Sequence, residues 1–283
     1  MNKSFLGALL GILAYFLLAL GFVFQKKGIG IFSKERKRSD FIFWISGLIL
    51  ININPFINFF ALNLVPSYVV NAISALTIVF TILLSALLLK EKLFTSDIIY
   101  IIGITIMIAA ITFKTKDTPQ LMPPFILSFI FAVLPIILFF LILPFMHLAS
   151  KNQLEGKGSM PAFIKVIIPS ITSGSMAGFM VVAMKLLQLD KGSQLKLTYF
   201  SSIYLYLFLL NGLISFIAIQ IAYKNGSMIM IAPMQYGFTV LYPIIISLFL
   251  FPLKNGFFES FDIIAMTLAI FIFIWGIVVK HNN

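Results

Sequence analysis

Long apolar runs separated by short polar stretches repeat along the whole chain. Most runs hold about 20 residues, enough for a helix to cross a hydrocarbon core of ~30 Å. No intervening stretch is long enough to form a soluble domain. The pattern predicts an all-α polytopic membrane protein with about nine transmembrane helices, forming a single transmembrane domain. The predicted spans are residues 5–25, 41–62, 68–89, 97–113, 124–148, 162–188, 199–223, 227–250 and 261–280.

Composition agrees with this pattern. Of the 283 residues, 61% are hydrophobic and 10% are charged, and the mean hydropathy is +1.09, values that exclude an ordinary soluble domain. The net charge of +11 comes from basic residues in short loops, where they set topology and meet anionic lipid head groups. We therefore expect contact with the lipid bilayer and none with nucleic acid. Cysteine is absent, which excludes disulfides and thiol catalysis.

The distribution of Lys and Arg predicts the orientation in the membrane. With nine crossings, the loops on one side and the C-terminus carry twelve basic residues, and the other side carries six. Because basic loops stay in the cytoplasm, we expect the C-terminus inside and the N-terminus outside. The expected location is the cell (plasma) membrane.

The stretch from residue 51 to 92 has the most informative polar positions. It reads as two apolar helices joined by a short turn, with Asn54 and Asn58 beside Pro55 in the first helix and Asn71 and Ser74 in the second. Proline removes a backbone donor and can break a helix at this point. Amide side chains are costly in hydrocarbon, so they should face protein or a wet cavity. We interpret this hairpin as half of a substrate pathway.

The second half of the chain resembles the first. Shifted by 161 positions, Ala61–Phe80 falls on Ala222–Leu241, and in both places a polar helix is followed by a short turn and a helix that opens with polar groups. This predicts two repeats, residues 1–115 with four helices and residues 116–283 with five. A shift of five crossings reverses direction, so the repeats are inverted.

Several short motifs accompany these repeats. In the first half they are Gln25-Lys26-Lys27-Gly28-Ile29, the stretch from Trp44 to Pro66 with Gly47 and Asn58-Phe59, Ile73-Ser74-Ala75-Leu76-Thr77, and Lys90-Glu91-Lys92-Leu93. In the second half they are Gly174 through Lys185, whose small residues from Gly174 to Gly178 predict a face for close helix contact, and Gln220-Ile221-Ala222-Tyr223. Together they resemble the motifs of NIPA-type putative magnesium transporters, a branch of the drug/metabolite transporter (EamA-like) superfamily.

The resemblance implies an inverted-repeat helical bundle that works by alternating access, and transport of magnesium or other divalent cations. Two positions depart from the family pattern. Pro55 stands where the family has an acidic residue, and Leu253-Lys254-Asn255 replaces a K-E element. All nine acidic residues fall in predicted loops or at span ends. Since Mg²⁺ usually meets at least one carboxylate, the remaining polar groups favour a hydrated cation or a neutral or zwitterionic metabolite.

Polar residues in the predicted spans give the candidate site. Each amide alone could equally serve as an interhelical hydrogen bond, worth ~0.6 kcal/mol, instead of contacting a substrate. Asn54 and Asn58 are four positions apart and share a helix face, and this clustering favours a binding site. For Lys185 the alternative is an ammonium that reaches the membrane interface. Glu91 is expected to pair with Lys90 or Lys92, and Asp97 is expected to cap the start of the fourth span. The predicted substrate-binding residues are Asn54, Asn58, Asn71, Ser74, Gln220, Gln235, Tyr236 and Lys185.

No nucleophile–base pair, phosphate-binding glycine loop or nucleotide motif is present, so we expect neither an enzyme nor a primary pump, and no cofactor. The sequence assigns no metal site and leaves a homodimer open. It predicts a secondary transporter of a small polar metabolite or a cation across the cytoplasmic membrane. The alternatives are a NIPA-type magnesium or divalent-cation transporter and a membrane structural subunit that transports nothing.

Overall fold

The computed structural model describes residues 3–33, 35–62, 64, 73–114, 122–154, 163–191 and 197–250, together with 265, 268–270, 272–273 and 276. Within these residues all regular secondary structure is helical. The all-α prediction is therefore confirmed for the described part of the chain.

In the part of the chain that the structure describes, eight α-helices follow the first eight predicted spans. Helical residues between 265 and 276 lie within the ninth. Single turns of other helix types occur at Ile29–Phe32, Phe163–Ile167 and Leu197–Ser201. The helices are α1 Lys3–Lys27, α2 Arg38–Leu62, α3 Leu76–Leu88, α4 Thr95–Lys114, α5 Phe125–Leu154, α6 Ile168–Lys191, α7 Ile203–Asn225 and α8 Met228–Leu250.

Five of the described helices, α1, α2, α5, α6 and α7, are long and apolar enough to cross a membrane, and α3 and α4 contain shorter apolar segments. Many large apolar side chains on these helices are exposed, for example Phe56, Ile126 and Leu141. Such a surface requires an apolar solvent. These features support a multi-pass membrane protein.

The helix break that the sequence suggests at Pro55 is not observed. Helix α2 continues through Pro55 and α8 continues through Pro233. Each proline lacks only its own N–H, and the other hydrogen bonds of a long helix hold the turn together. The carbonyl four residues before each proline still loses its helical donor, so a contribution of this backbone to the site stays a prediction.

The chain divides into two compact units. The first contains Met1–Asp117, Ser227–Pro233 and Asp262–Asn283, and the second contains Thr118–Gly226 and Met234–Phe261. Helix α8 thus begins in the first unit and continues in the second. The inverted repeat of residues 1–115 and 116–283 stays a prediction.

In the first unit, α1 packs against α2 and α3. Helices α1 and α2 come close together at two glycines: a Cβ atom on Gly21 would lie 2.9 Å from the Gly47 carbonyl oxygen, and one on Gly47 would lie 2.5 Å from the Gly21 carbonyl oxygen. Such reciprocal small-residue contacts let helices approach in a membrane, where no hydrophobic effect drives them together. Elsewhere in this unit, the Phe273 ring packs against Gly103 of α4.

In the second unit, α6 is the most buried of the five long apolar helices. Its Gly174 and Gly178 lie directly against the α8 backbone, at the Gln235 and Thr239 carbonyl oxygens. This confirms the prediction that the residues from Gly174 to Gly178 form a face for close helix contact. The Tyr242 hydroxyl of α8 also donates a hydrogen bond to the Phe131 carbonyl of α5 (2.6 Å).

Candidate functional site

A group of polar side chains lies where α1, α2 and the residues before α3 meet. Asn54 Nδ2 donates a hydrogen bond to the Ala14 carbonyl of α1 (2.9 Å), and Asn58 Nδ2 donates to Asn54 Oδ1 (3.1 Å). The Tyr15 hydroxyl lies beside the side chains of Asn58 and Ser74. We call Tyr15, Asn54, Asn58 and Ser74 the amide–tyrosine cluster. Three of its four members are residues that the sequence predicts for the site.

Helix geometry and small side chains bring the cluster together. Asn54, Asn58 and Ala61 recur at spacings of four and three, so they lie on one face of α2. Ala61 is completely buried, with Leu10 and Tyr15 of α1 packed against it. Because Ala61 is small, α1 comes near enough for its Tyr15 hydroxyl to reach the amides. The sequence alone does not give the relative register of α1 and α2 that selects Tyr15.

One acceptor in the cluster is not saturated. Oδ1 of Asn58 is buried and has no hydrogen bond of ordinary geometry to any described residue. A buried polar atom without a partner loses its hydration and gains nothing in return. Such an atom is therefore a candidate contact for a polar solute. The cluster carries no formal charge, so it offers neutral oxygens and amide donors.

A cavity of about 380 Å³ opens along the same two helices. Its lining residues are all apolar: Leu10, Leu13, Ile57, Phe60 and Leu64. The cavity is next to the cluster in sequence, but the amides do not line it. It is therefore not a water-filled cavity of the kind that the amide side chains are predicted to face.

The predicted site residues of the second unit have different environments. Gln235 is buried on α8, and its carbonyl accepts a hydrogen bond from Thr239 Oγ1 (2.8 Å). Gln220 and Tyr236 are half-buried, whereas Lys185 is exposed on α6. Asn71 lies outside the described residues. That these residues and the cluster contact one substrate together stays a prediction.

Sequence reasoning missed a buried pair of serines. Ser173 of α6 and Ser215 of α7 have their hydroxyl oxygens 3.1 Å apart, and the Ser215 hydroxyl also donates to the Ser173 carbonyl (2.9 Å). Asn211 lies one turn before Ser215 and is fully buried. The spacing of four between two polar residues in an apolar run was the available signal. The pair fixes α6 against α7 within the second unit.

Two carboxylates contact helix starts. Asp97 Oδ2 accepts the Phe94 N–H (2.9 Å), which confirms the prediction that Asp97 caps α4. The prediction for Glu91 requires correction, because its carboxylate accepts the N–H groups of Met228 (2.9 Å) and Ile229 (3.1 Å) at the start of α8. The free N–H groups of a helix start attract an anion. Sequence neighbours alone gave no indication of this distant partner.

The described residues contain no group of three or more acidic or histidine side chains that could hold a metal ion. Dehydrated Mg²⁺ prefers an octahedron of hard oxygen ligands, usually with a carboxylate among them. The amide–tyrosine cluster lacks a carboxylate. Its chemistry suits hydrogen bonding to a polar solute or to the water shell of an ion.

One glycine of the motifs quoted above has a clear packing role. A Cβ atom on Gly28, at the end of α1, would lie 2.5 Å from both the Asp40 carbonyl oxygen and the Trp44 nitrogen of α2. Any larger residue would separate the two helices here. The preceding Lys27 places its ammonium 4.3 Å from the centre of the Phe43 ring, in a cation–π contact.

Comparison with known proteins gives one family. The family described as Magnesium transporter NIPA matches residues 2–283 of the chain. No curated protein and no solved structure gives a significant match. The family match covers nearly the whole chain and agrees with its apolar helices. The chain therefore belongs to the NIPA magnesium transporter family.

Proposed function

We propose that this protein is a secondary transporter that carries Mg²⁺ across the membrane together with the ion's inner water shell. Membership of the NIPA family supports the choice of ion. The amide–tyrosine cluster supports transport of the ion in its hydrated form. The cluster is neutral, and its Asn58 Oδ1 is buried with no hydrogen bond of ordinary geometry to a described residue. Mg²⁺ gives up its waters reluctantly, so a site without carboxylates can bind the ion through those waters.

The contacts within this site would be hydrogen bonds. Water bound to Mg²⁺ is a strong donor, and Asn58 Oδ1 and the hydroxyl oxygens of Tyr15 and Ser74 are acceptors. Charge-assisted hydrogen bonds of this kind are stronger than those between neutral groups. The cluster would therefore bind the hydrated ion without a formal negative charge.

The two predicted repeats provide a route for the ion. In this proposal, residues 1–115 and 116–283 rock about the site so that it opens to one side of the membrane at a time. Gln220, Gln235, Tyr236 and Asn71 would complete the site in one of these states. The expected setting is the plasma membrane, with the N-terminus outside and the C-terminus in the cytoplasm. A homodimer is compatible with this scheme.

A small polar metabolite is the second candidate. The apolar cavity of about 380 Å³ along α1 and α2 favours it, because the apolar body of a metabolite could fill that space. Pocket volumes of about 300–1,000 Å³ are usual for small-molecule sites. A membrane subunit that transports nothing would use the same amides only as interhelical contacts.

Ion flux into proteoliposomes distinguishes these functions. We expect the purified full chain to mediate uptake of Mg²⁺, measured with an enclosed fluorescent indicator, above the rate of protein-free vesicles and without ATP. Mn²⁺ and Ca²⁺ tested in the same way give the selectivity. Absence of flux for every metal, with uptake of a labelled polar metabolite, would contradict the cation proposal.

A further inference from the structure

The contact between Glu91 and the start of α8 joins parts of the chain that are far apart in sequence. Both carboxylate oxygens take part, one with the Met228 N–H and one with the Ile229 N–H, across 137 and 138 positions respectively. These N–H groups begin a helix and have no partner within it. The carboxylate therefore satisfies two donors that would otherwise need water, and its charge complements the positive end of the helix dipole.

The backbone next to Glu91 adopts a conformation that side chains disfavour. Lys90 has a φ of 58°, the one positive value among the described non-glycine residues. It directly follows the end of α3, where the Leu89 N–H still bonds to the Ser85 carbonyl. A lysine remains in the left-handed region when other contacts hold it there. The bidentate contact of Glu91 is such a constraint.

A cation lies near this contact. The Lys26 ammonium, at the end of α1, is near enough to attract the Glu91 carboxylate. Glu91 itself is half-buried, so water can reach it. A contact made of a charge, two N–H groups and a neighbouring cation can open and re-form by exchange with water, unlike packed apolar side chains.

The segment that Glu91 holds leads into residues of the candidate site. Residues 228–233 of α8 belong to the first unit, whereas Gln235 and Tyr236 follow in the second. Pro233 lies between them and cannot donate a hydrogen bond to the Ile229 carbonyl. The first turn of α8 is therefore less firmly tied to the rest of its helix than an ordinary turn.

We propose that Glu91 is a latch for the start of α8: its carboxylate holds the first turn in the conformation described here and releases it when the transporter changes conformation. Glu91 is thus a positioning residue that acts through α8 and does not contact the transported solute. The release of this contact during a transport cycle rests on the proposed transport function. The contact itself is independent of the identity of the solute.

Cysteine labelling tests the latch directly, since the natural chain contains no cysteine. Ser227→Cys places a half-buried thiol immediately before α8, and a membrane-impermeant fluorescent maleimide reports its accessibility in proteoliposomes. In the Ser227→Cys background, we expect Glu91→Gln to raise the labelling rate roughly tenfold. Glutamine has no charge, and its NH₂ group replaces one of the two oxygens that accept the backbone N–H groups. Glu91→Asp keeps the carboxylate and should stay near the parent rate. Ser33→Cys, an exposed position in a loop on the same predicted side of the membrane as Ser227, is the matched control and should not respond.

Two further measurements separate a latch from a static cap. An imposed Mg²⁺ gradient should change the labelling rate of the Ser227→Cys parent, a test that does not need a Glu91 variant to fold. Mg²⁺ flux per folded molecule should fall in Glu91→Gln and recover in Glu91→Asp. Equal labelling of Glu91→Gln and its parent would overturn the latch, as would faster labelling with unchanged flux. If the parent carries no Mg²⁺, the ion proposal fails alone, because the labelling comparison between Glu91→Gln and its parent still decides whether Glu91 holds the first turn of α8.

Discussion

Asn58→Leu is expected to lower the initial rate of Mg²⁺ uptake at least about tenfold, which corresponds to a loss of 1.4 kcal/mol of transition-state stabilisation. Leucine has a similar size but removes Oδ1, the buried acceptor that has no hydrogen-bond partner among the described residues, and the Nδ2 group that bonds to Asn54. The cost to folding should be small, because an interhelical hydrogen bond in a membrane is worth ~0.6 kcal/mol on average. The measurement is indicator-based flux in proteoliposomes, normalised to folded protein.

Asn52→Leu is the matched control for this variant. Asn52 is exposed on the same helix, and its Nδ2 bonds within the helix to the Leu48 carbonyl (2.8 Å). The substitution makes the same chemical change outside the cluster, so uptake should stay near the wild-type rate. Equal losses in the two variants would show a general effect of leucine on α2. Normal uptake by Asn58→Leu would remove the cluster from the pathway.

Gly47→Ala is expected to destabilise the first unit by about 1–3 kcal/mol. The added Cβ atom would lie 2.5 Å from the Gly21 carbonyl oxygen and 2.7 Å from the Gln25 nitrogen, which are backbone atoms that cannot move out of the way alone. Helices α1 and α2 must therefore separate, and the bond between Asn54 and Ala14 lies across the same pair of helices. The midpoint of thermal unfolding in detergent should fall by several degrees, and Mg²⁺ uptake should fall with it.

Gly11→Ala provides the comparison on α1. Its Cβ atom would lie 3.4 Å from the Ile73 Cδ1 atom, an ordinary contact with the end of a flexible side chain. Replacing a helical glycine by alanine in open space stabilises a helix by roughly 0.5–1 kcal/mol. The unfolding midpoint of Gly11→Ala should therefore stay the same or rise. A lower midpoint for Gly11→Ala than for Gly47→Ala would contradict the close contact of α1 and α2.

Local sequence signals predicted much of this structure. Runs of about 20 apolar residues marked the helices, and the spacing of Asn54 and Asn58 placed them on one face. Small residues from Gly174 to Gly178 predicted a close helix contact, and Asp97 was recognised as a cap. Each of these features depends on residues within a few turns of one another.

Features that depend on distant contacts were not predictable in the same way. The partner of Glu91 lies 137 positions away, so its neighbours Lys90 and Lys92 suggested the wrong pairing. The pairing of Tyr15 with Asn58 depends on the register of α1 against α2, which close packing at Gly21, Gly47 and Ala61 decides. Pro55 suggested a break, but the remaining hydrogen bonds keep α2 continuous.

Competition by hexaamminecobalt(III) tests the central claim most directly. This ion has the size and shape of hydrated Mg²⁺, but its ligands do not exchange, so it can bind only to a site that accepts the hydrated form. We predict that it inhibits Mg²⁺ uptake into proteoliposomes competitively, through hydrogen bonds to the amide–tyrosine cluster. Full Mg²⁺ uptake in the presence of a large excess of hexaamminecobalt(III) would contradict transport of the hydrated ion.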